Sequence, residues 1–242
     1  MPDRRQHRGP HPEDERLFSA DAAAVLRRAC GDLAMLLGKG YAEKSSLALV
    51  GDHFALAARQ RVALMRAACS DAARDARRAR MAQMQSLRGA QLLLDGYNVL
   101  TTVEAALGGG VILACRDGSF RDMASVHGTY RKVSETIPAL ELVGTALAAI
   151  GPAECLWYLD SPVSNSGRLK VLMDETAAAH GWPWRVETVT DPDRRLSRSE
   201  ACVATSDSAI LDRCRSWLNL ARAVVDQSAP GAWIVDLESS DA

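Results

Sequence analysis

Four apolar runs in the chain break off at an acid: "LLLD" at Asp95, "VILACRD" at Asp117, "CLWYLD" at Asp160 and "CVATSD" at Asp207. Such runs have the composition of strands buried on both faces, and a buried carboxylate without a partner is costly. Ligands in open α/β sheets bind outside the carboxyl ends of the strands. Asp95, Asp160 and Asp207 are therefore expected to meet at one sheet edge, where water or a cation can reach them. Carboxylates without accompanying His or Cys suit a hard ion, Mg2+ or Mn2+. Two such ions activate a water and stabilise the leaving oxygen in phosphodiester hydrolysis. The competing role for each acid is to cap the helix that follows it.

The elements that must position these acids are legible as a change of pattern. From Asp21 to Arg88 the sequence is rich in alanine, leucine and arginine, lacks proline, and repeats apolar residues every three or four positions. Three helices are expected there: 21–37 with Asp21 as N-cap, 43–56, and 57–84. The glycine in "LVGDHFAL" fits a helical hairpin better than a DNA-binding helix-turn-helix. After Gly89, strand-like runs at 91–95, 111–115, 155–160, 184–189, 201–206 and 233–237 alternate with helical stretches near 99–107, 120–131, 135–150, 167–180 and 208–225. This alternation predicts an α/β fold with a mainly parallel central sheet. The domain reading is a disordered arm over 1–18, a helical N-terminal domain over 19–88 and an α/β domain over 89–242.

Composition narrows the classes. No apolar run is long enough to span a bilayer, and the charged N-terminus lacks a signal peptide's apolar centre, so no membrane partner and a cytoplasmic location are expected. The six cysteines show no close C-x-x-C pair and are read as reduced core thiols. The five histidines show no ligand spacing. A net charge of −1 conceals +6 over residues 1–90 and −7 over 91–242. Arg59, Arg61, Arg66, Arg74, Arg77, Arg78, Arg80 and Arg88 form a basic stretch that would attract a phosphate backbone, or remain a solvated face interleaved with Asp71 and Asp75.

The wording of the motifs adds a resemblance. "LLLDGYNVL" resembles the first strand of NYN-type members of the PIN-like ribonuclease superfamily, and "VATSDSAIL" is similar to their late Thr/Ser-x-Asp motif. "CLWYLDSPVSNSG" fits the intervening acid-bearing strand. More closely, the whole chain resembles the domain of unknown function 434 family, through "LLGKGYAEKSSLALVGDHFAL", "DGYNVLTTVEAAL", "RDGSFRDM", "DSPVSNSG" and "ATSDSAIL". The resemblance implies a PIN-like three-layer fold over about 91–226. It also implies Asp95 as first metal ligand, Asn98 as its polar partner, Asp160 and Asp207 as central-strand acids, and Thr205 and Ser206 in the turn. The relatives carry a further acid where this chain reads "DPDRRLSRSE". Asp191, Asp193 or Glu200 would replace it, or Glu104, Asp117 or Asp122 would complete the site.

Two neighbouring stretches offer substrate contacts. Ser164 and Ser166 could donate to a phosphate at a helix start or serve as caps. Arg121 could touch phosphate or pair with Asp117. The expected function is a metal-dependent nuclease using Mg2+ or Mn2+, with RNA ahead of DNA as substrate. The helical part would grip nucleic acid or pair two copies as a homodimer. The alternative is a catalytically silent PIN-like module that binds nucleic acid or protein. A small-molecule phosphohydrolase would need an Asp-x-Asp after the first strand, and "DGYN" lacks it.

Overall fold

In the computed structural model, which describes residues 7–124 and 128–238, the first third is helical. It forms α1 (Asp14–Leu17), α2 (Ala20–Gly38), α3 (Glu43–His53), α4 (Ala58–Ala67) and α5 (Asp71–Ala79). Ser19, not Asp21, caps α2, its hydroxyl accepting from the Ala22 amide, which satisfies one of the donors a helix start leaves orphaned. The single helix expected over 57–84 is interrupted. Ala68 is extended at the end of α4, and Ser70 caps α5 through the Ala73 amide.

The remainder alternates as β1 (Gln91–Asp95), α6 (Gly96–Leu107), β2 (Val111–Ala114), β3 (Phe120–Asp122), α7 (Thr136–Ile150), β4 (Glu154–Asp160), α8 (Ser166–His180) and β5 (Trp184–Val189). It continues with α9 (Pro192–Ser197), β6 (Cys202–Ala204), α10 (Ser208–Leu211), β7 (Trp217–Leu218), α11 (Leu220–Ser228) and β8 (Trp233–Asp236). The main sheet has five parallel strands in the order β5-β4-β1-β6-β7. A smaller sheet, β3-β2-β8, pairs β2 antiparallel with β3 and parallel with β8.

Leu92 and Leu94 point into one core with residues of α6, α7 and α11, while Leu93 points into another with Leu196, Ile210 and Leu211. Period-two alternation thus buries β1 on both faces. A third core joins Leu26, Leu33 and Leu64 of the helical segment to Val111 and Leu113 of β2 and Val235 of β8. The helical segment and the small sheet therefore share one apolar interior.

Some expected elements differ. The stretch 120–131 begins with a strand and runs on without a helix as far as residue 124, and 125–127 lie outside the described residues. The expected helix 208–225 divides into α10, β7 and α11, because Trp217 pairs beside Val203 and is fully buried. Residues 7–18, assigned to the arm, lie against the body. Leu17 and Phe18 are buried, and the Arg8 guanidinium donates to the fully buried Glu104. The "GGG" at 108–110 accommodates this strap, since a Cβ on Gly110 would sit 2.8 Å from the Arg8 carbonyl oxygen. Among the described residues no helix is long and apolar enough to cross a membrane.

Candidate functional site: an acidic cleft at the carboxyl edge of the sheet

The register fixes the site. Asp95 lies opposite Tyr158, two residues before Asp160, and Leu94 lies opposite Ala204, three residues before Asp207. All three strands run the same way, and β6 lies on the other side of β1 from β4, so the side on which successive strands are added switches at β1. A crevice opens at such a switch point. Here it holds about 840 Å³ and is lined by Asp95, Asn98, Asp122, Asp160, Asp191, Asp193 and Asp207, with Tyr97, Arg121 and Ser206. The helical segment contributes Glu43, Met65 and Arg66 to the opposite wall.

Asp95 ends β1 and its Oδ2 accepts from the Thr205 hydroxyl at 2.8 Å. The same Thr205 oxygen accepts from the Asp207 amide at 3.0 Å. One buried hydroxyl thereby ties the ends of β1 and β6 together. Asn98, in the first turn of α6, locks the same junction, its Oδ1 accepting from the Ser206 amide at 2.7 Å and the Ser206 hydroxyl at 3.0 Å. Burial pushes the Asp95 carboxyl up to about 7, and the nearby charges of Asp207 and Asp193 push the same way against the Thr205 hydrogen bond. Asp193, on the rim, is also raised, by partial desolvation and then by Asp207, Asp191 and Asp160. The cleft concentrates negative charge that the fold leaves without full compensation.

Capping and the cleft are not exclusive roles. Asp207 Oδ1 accepts from the Ala209 and Ile210 amides at the start of α10, and Asp191 caps α9 through the Arg194 amide at 3.1 Å. Asp95 occupies the corresponding position before α6 without a side-chain capping bond. Asp122 lines the cleft from β3, but it is held by the hydroxyls of Thr101 and Thr102, at 3.2 and 3.0 Å, and by the Ala124 amide at 2.7 Å.

Other expected residues lie elsewhere. Asp117 is fully buried behind the cleft, bound by Arg77 at 2.8 Å, Arg121 at 2.6 Å and the Ser119 hydroxyl at 2.6 Å. Burial alone would raise its carboxyl, but the Arg121 charge and these hydrogen bonds hold it far below the usual range. It is an ion-pair centre, not a wall residue. Glu104 is likewise buried, satisfied by Arg8, Tyr130 and Thr136. Glu200 pairs with Arg215, outside the cleft. Of the acids that could stand in the "DPDRRLSRSE" stretch, Asp191 and Asp193 are the ones in the cleft.

Arg121 reaches the cleft wall while paired with Asp117 and donating to the Ser206 carbonyl at 2.6 Å. Ser164 and Ser166 lie outside the lining. The cap of α8 is Asn165, in the left-handed region at φ 71°, without a side-chain capping bond. The arginine stretch is largely consumed internally. Arg77 grips Asp212 at 2.7 and 2.9 Å, Arg74 pairs with Asp71 and Asp75, and Arg78 with Glu238. Tyr97, Glu43 and Met65 are wall residues that the sequence did not single out, and Arg66 stood there only as part of the basic stretch. Tyr97 stood inside "DGYN", whereas nothing near Glu43 or Met65 in sequence signals a cleft.

Among the described residues, no three His, Cys, Asp or Glu side chains come close enough together to hold a metal ion directly. The acids on the wall carry oxygen donors of the kind a hard cation prefers. Mg2+ is commonly held by one or two carboxylates plus water and substrate oxygens, and Asp95 beside Asp207 offers that number.

Comparison with known proteins divides the chain where the fold does. The profile described as domain of unknown function DUF5616 matches residues 84–223, and that described as protein of unknown function DUF434 matches residues 25–80. The DUF434 likeness expected of the whole chain is thus carried by the helical segment. An uncharacterised protein of Methanocaldococcus jannaschii is 30% identical over 186 residues, 77% of this chain and 88% of the relative. No solved structure matches the chain.

Proposed function

Because the chain belongs to the family described as domain of unknown function DUF5616, which names no reaction, we propose its function from the cleft: metal-dependent hydrolysis of phosphodiester bonds, with RNA ahead of DNA as substrate. The observation that carries this reading is the gathering of Asp95, Asp160, Asp193 and Asp207 on one strand-end crevice, where burial and then the neighbouring acids raise Asp95 and Asp193. Perturbed acids in a cleft are a signature of functional sites, and a divalent cation is the simplest partner for such a group. The PIN-like resemblance of "DGYN" and "ATSDSAIL" points the same way, since both stretches supply the cleft.

Asp95 and Asp207 would hold Mg2+ or Mn2+ in this reading, with Asp160 and Asp193 binding its waters. When bound, the ion supplies an activated water and neutralises charge at the leaving oxygen. Thr205 and Asn98 keep the two strand ends in register, so the acids need little rearrangement. Arg121 is neutralised by Asp117, so the positive charge facing a phosphate would come from Arg66 on the wall contributed by the helical segment.

A second reading, a PIN-like module that binds nucleic acid or protein without cleaving it, is favoured by the lack of three converging ligands among the described residues. One comparison separates them. Wild type and Asp95→Asn are assayed on RNA with Mn2+ and with chelator, alongside melting temperatures. The nuclease reading expects cleavage and Mn2+ stabilisation in wild type alone. Equal cleavage by both proteins would place the reaction elsewhere, and a wild type indifferent to Mn2+ would favour the binding module.

A further inference from the structure

Beside the cleft lies a second depression of about 430 Å³ whose walls carry Arg131, Lys132 and Arg168. The two share a partition. Tyr97 faces the cleft and Tyr130 the depression, with ring centroids 5.4 Å apart. Val163 lines the cleft and Asn165 the depression, and the Asn165 amide donates to the Tyr130 carbonyl at 3.0 Å. A strand lying across the partition would touch both.

The three cations differ from the arginines that are consumed internally. Arg59, Arg74, Arg77, Arg78, Arg116 and Arg121 each hold a carboxylate of the chain itself. The side chains of Arg131, Lys132 and Arg168 have no such partner among the described residues. Lys132 and Arg168 are exposed and Arg131 is half-buried. Gathering unpaired like charges around one concavity is unfavourable for the protein alone and favourable once an anion enters. Glu175 is the one acid on the lining, at a place where it would limit affinity.

We infer that this depression is a phosphate-docking pocket for the backbone of a single-stranded nucleic acid whose neighbouring nucleotides enter the acidic cleft. The inference rests on the cleft reading for its choice of polyanion. It also accounts for how an acidic cleft keeps a polyanionic substrate: attraction sits beside the acids, not among them. Leu169 and Leu172 give the pocket an apolar floor suited to a sugar or base face.

The test is binding of a short fluorescein-labelled oligouridylate to the full chain in chelator, so that neither cleavage nor metal contributes. Replacing Arg131, Lys132 and Arg168 together by alanine should weaken Kd by about tenfold or more and flatten the salt dependence. Each lost phosphate contact lowers the slope of log K against log salt by about 0.7 on a single strand. A variant carrying Arg131→Lys, Lys132→Arg and Arg168→Lys should keep most of the affinity, and Glu175→Gln should increase it. Circular dichroism and melting temperatures check that each variant is folded. If the alanine variant folds and binds with unchanged Kd and slope, the pocket is not the docking site, although the cleft reading stands. If wild type binds no oligonucleotide, the inference is overturned as well, and Mn2+ stabilisation of the same preparation judges the cleft separately.

Discussion

Asp95 and Asp117 both end apolar strands, yet their surroundings push them in opposite directions. Burial, and then the charges of Asp207 and Asp193, raise Asp95 to about 7; Asp117 is buried too, but Arg121 and Arg77 hold it low. Opposite pH dependences follow. A raised folded pKa means that Asp95 imposes no cost below the unfolded carboxylate value near 4. The cost grows as pH rises from about 4 to about 7 and is constant above that, at most about 4 kcal/mol. Metal-free Asp95→Asn should therefore melt higher than wild type at pH 8 and nearly equal it at pH 4. Urea titrations across that range would show it, and a difference that stays constant with pH would contradict the assignment. Asp117 behaves inversely. Its stabilisation is complete above the unfolded value and is lost as pH falls through the depressed folded one. Asp117→Asn leaves two buried guanidinium groups short of charge and should cost roughly 3–5 kcal/mol at neutral pH. A change below 1 kcal/mol in chemical denaturation would show that the arginines find other partners.

Elements hold these residues in place with little tolerance. Gly96 opens α6 directly after Asp95, and a Cβ there would lie 2.8 Å from the Tyr158 carbonyl oxygen and 2.6 Å from a Leu159 methyl. Gly96→Ala must push α6 away from β4, costing about 1–3 kcal/mol. It should reduce Mn2+ stabilisation more than that loss implies, because the Asp95–Asp160 spacing changes with it. Thermal shifts with and without Mn2+ check this; an intact metal response would show that the helix yields without moving the acid. Six strands stand within a residue or two of their sequence positions because their apolar runs end abruptly at polar or turn residues. β3 and β7 were illegible for a different reason. At three and two residues they are too short to show alternation, and each is stabilised by pairing with a neighbouring strand. Convergence of Asp95, Asp160 and Asp207 on one wall followed from parallel topology alone. That Asp117 belongs to another sheet could not be read locally, since "VILACRD" has the same form as the other three runs.

At the scale of the molecule, the helical segment and the α/β part are mutually dependent. Arg8 supplies the cation that compensates buried Glu104, whose carboxyl burial raises despite that partner. Arg8→Ala should cost about 3–5 kcal/mol, and Glu104→Gln in the same chain should recover part of it; a denaturation double-mutant cycle measures the coupling, and additive losses would deny it. The apolar faces of α2 and α4 rest on β2 and β8, so residues 19–88 produced alone should be helical without a cooperative melt. A sharp two-state transition in that fragment would show an independent core. The same packing governs the order of events during synthesis. The helices leave the ribosome first, but Val235, part of the floor beneath them, is translated more than 150 residues after α5 ends. At about 5–20 residues per second, the nascent chain carries an uncovered leucine face for roughly ten to thirty seconds. A chain terminated before Trp233 would keep that face open, making it a substrate for holding chaperones and prone to aggregate.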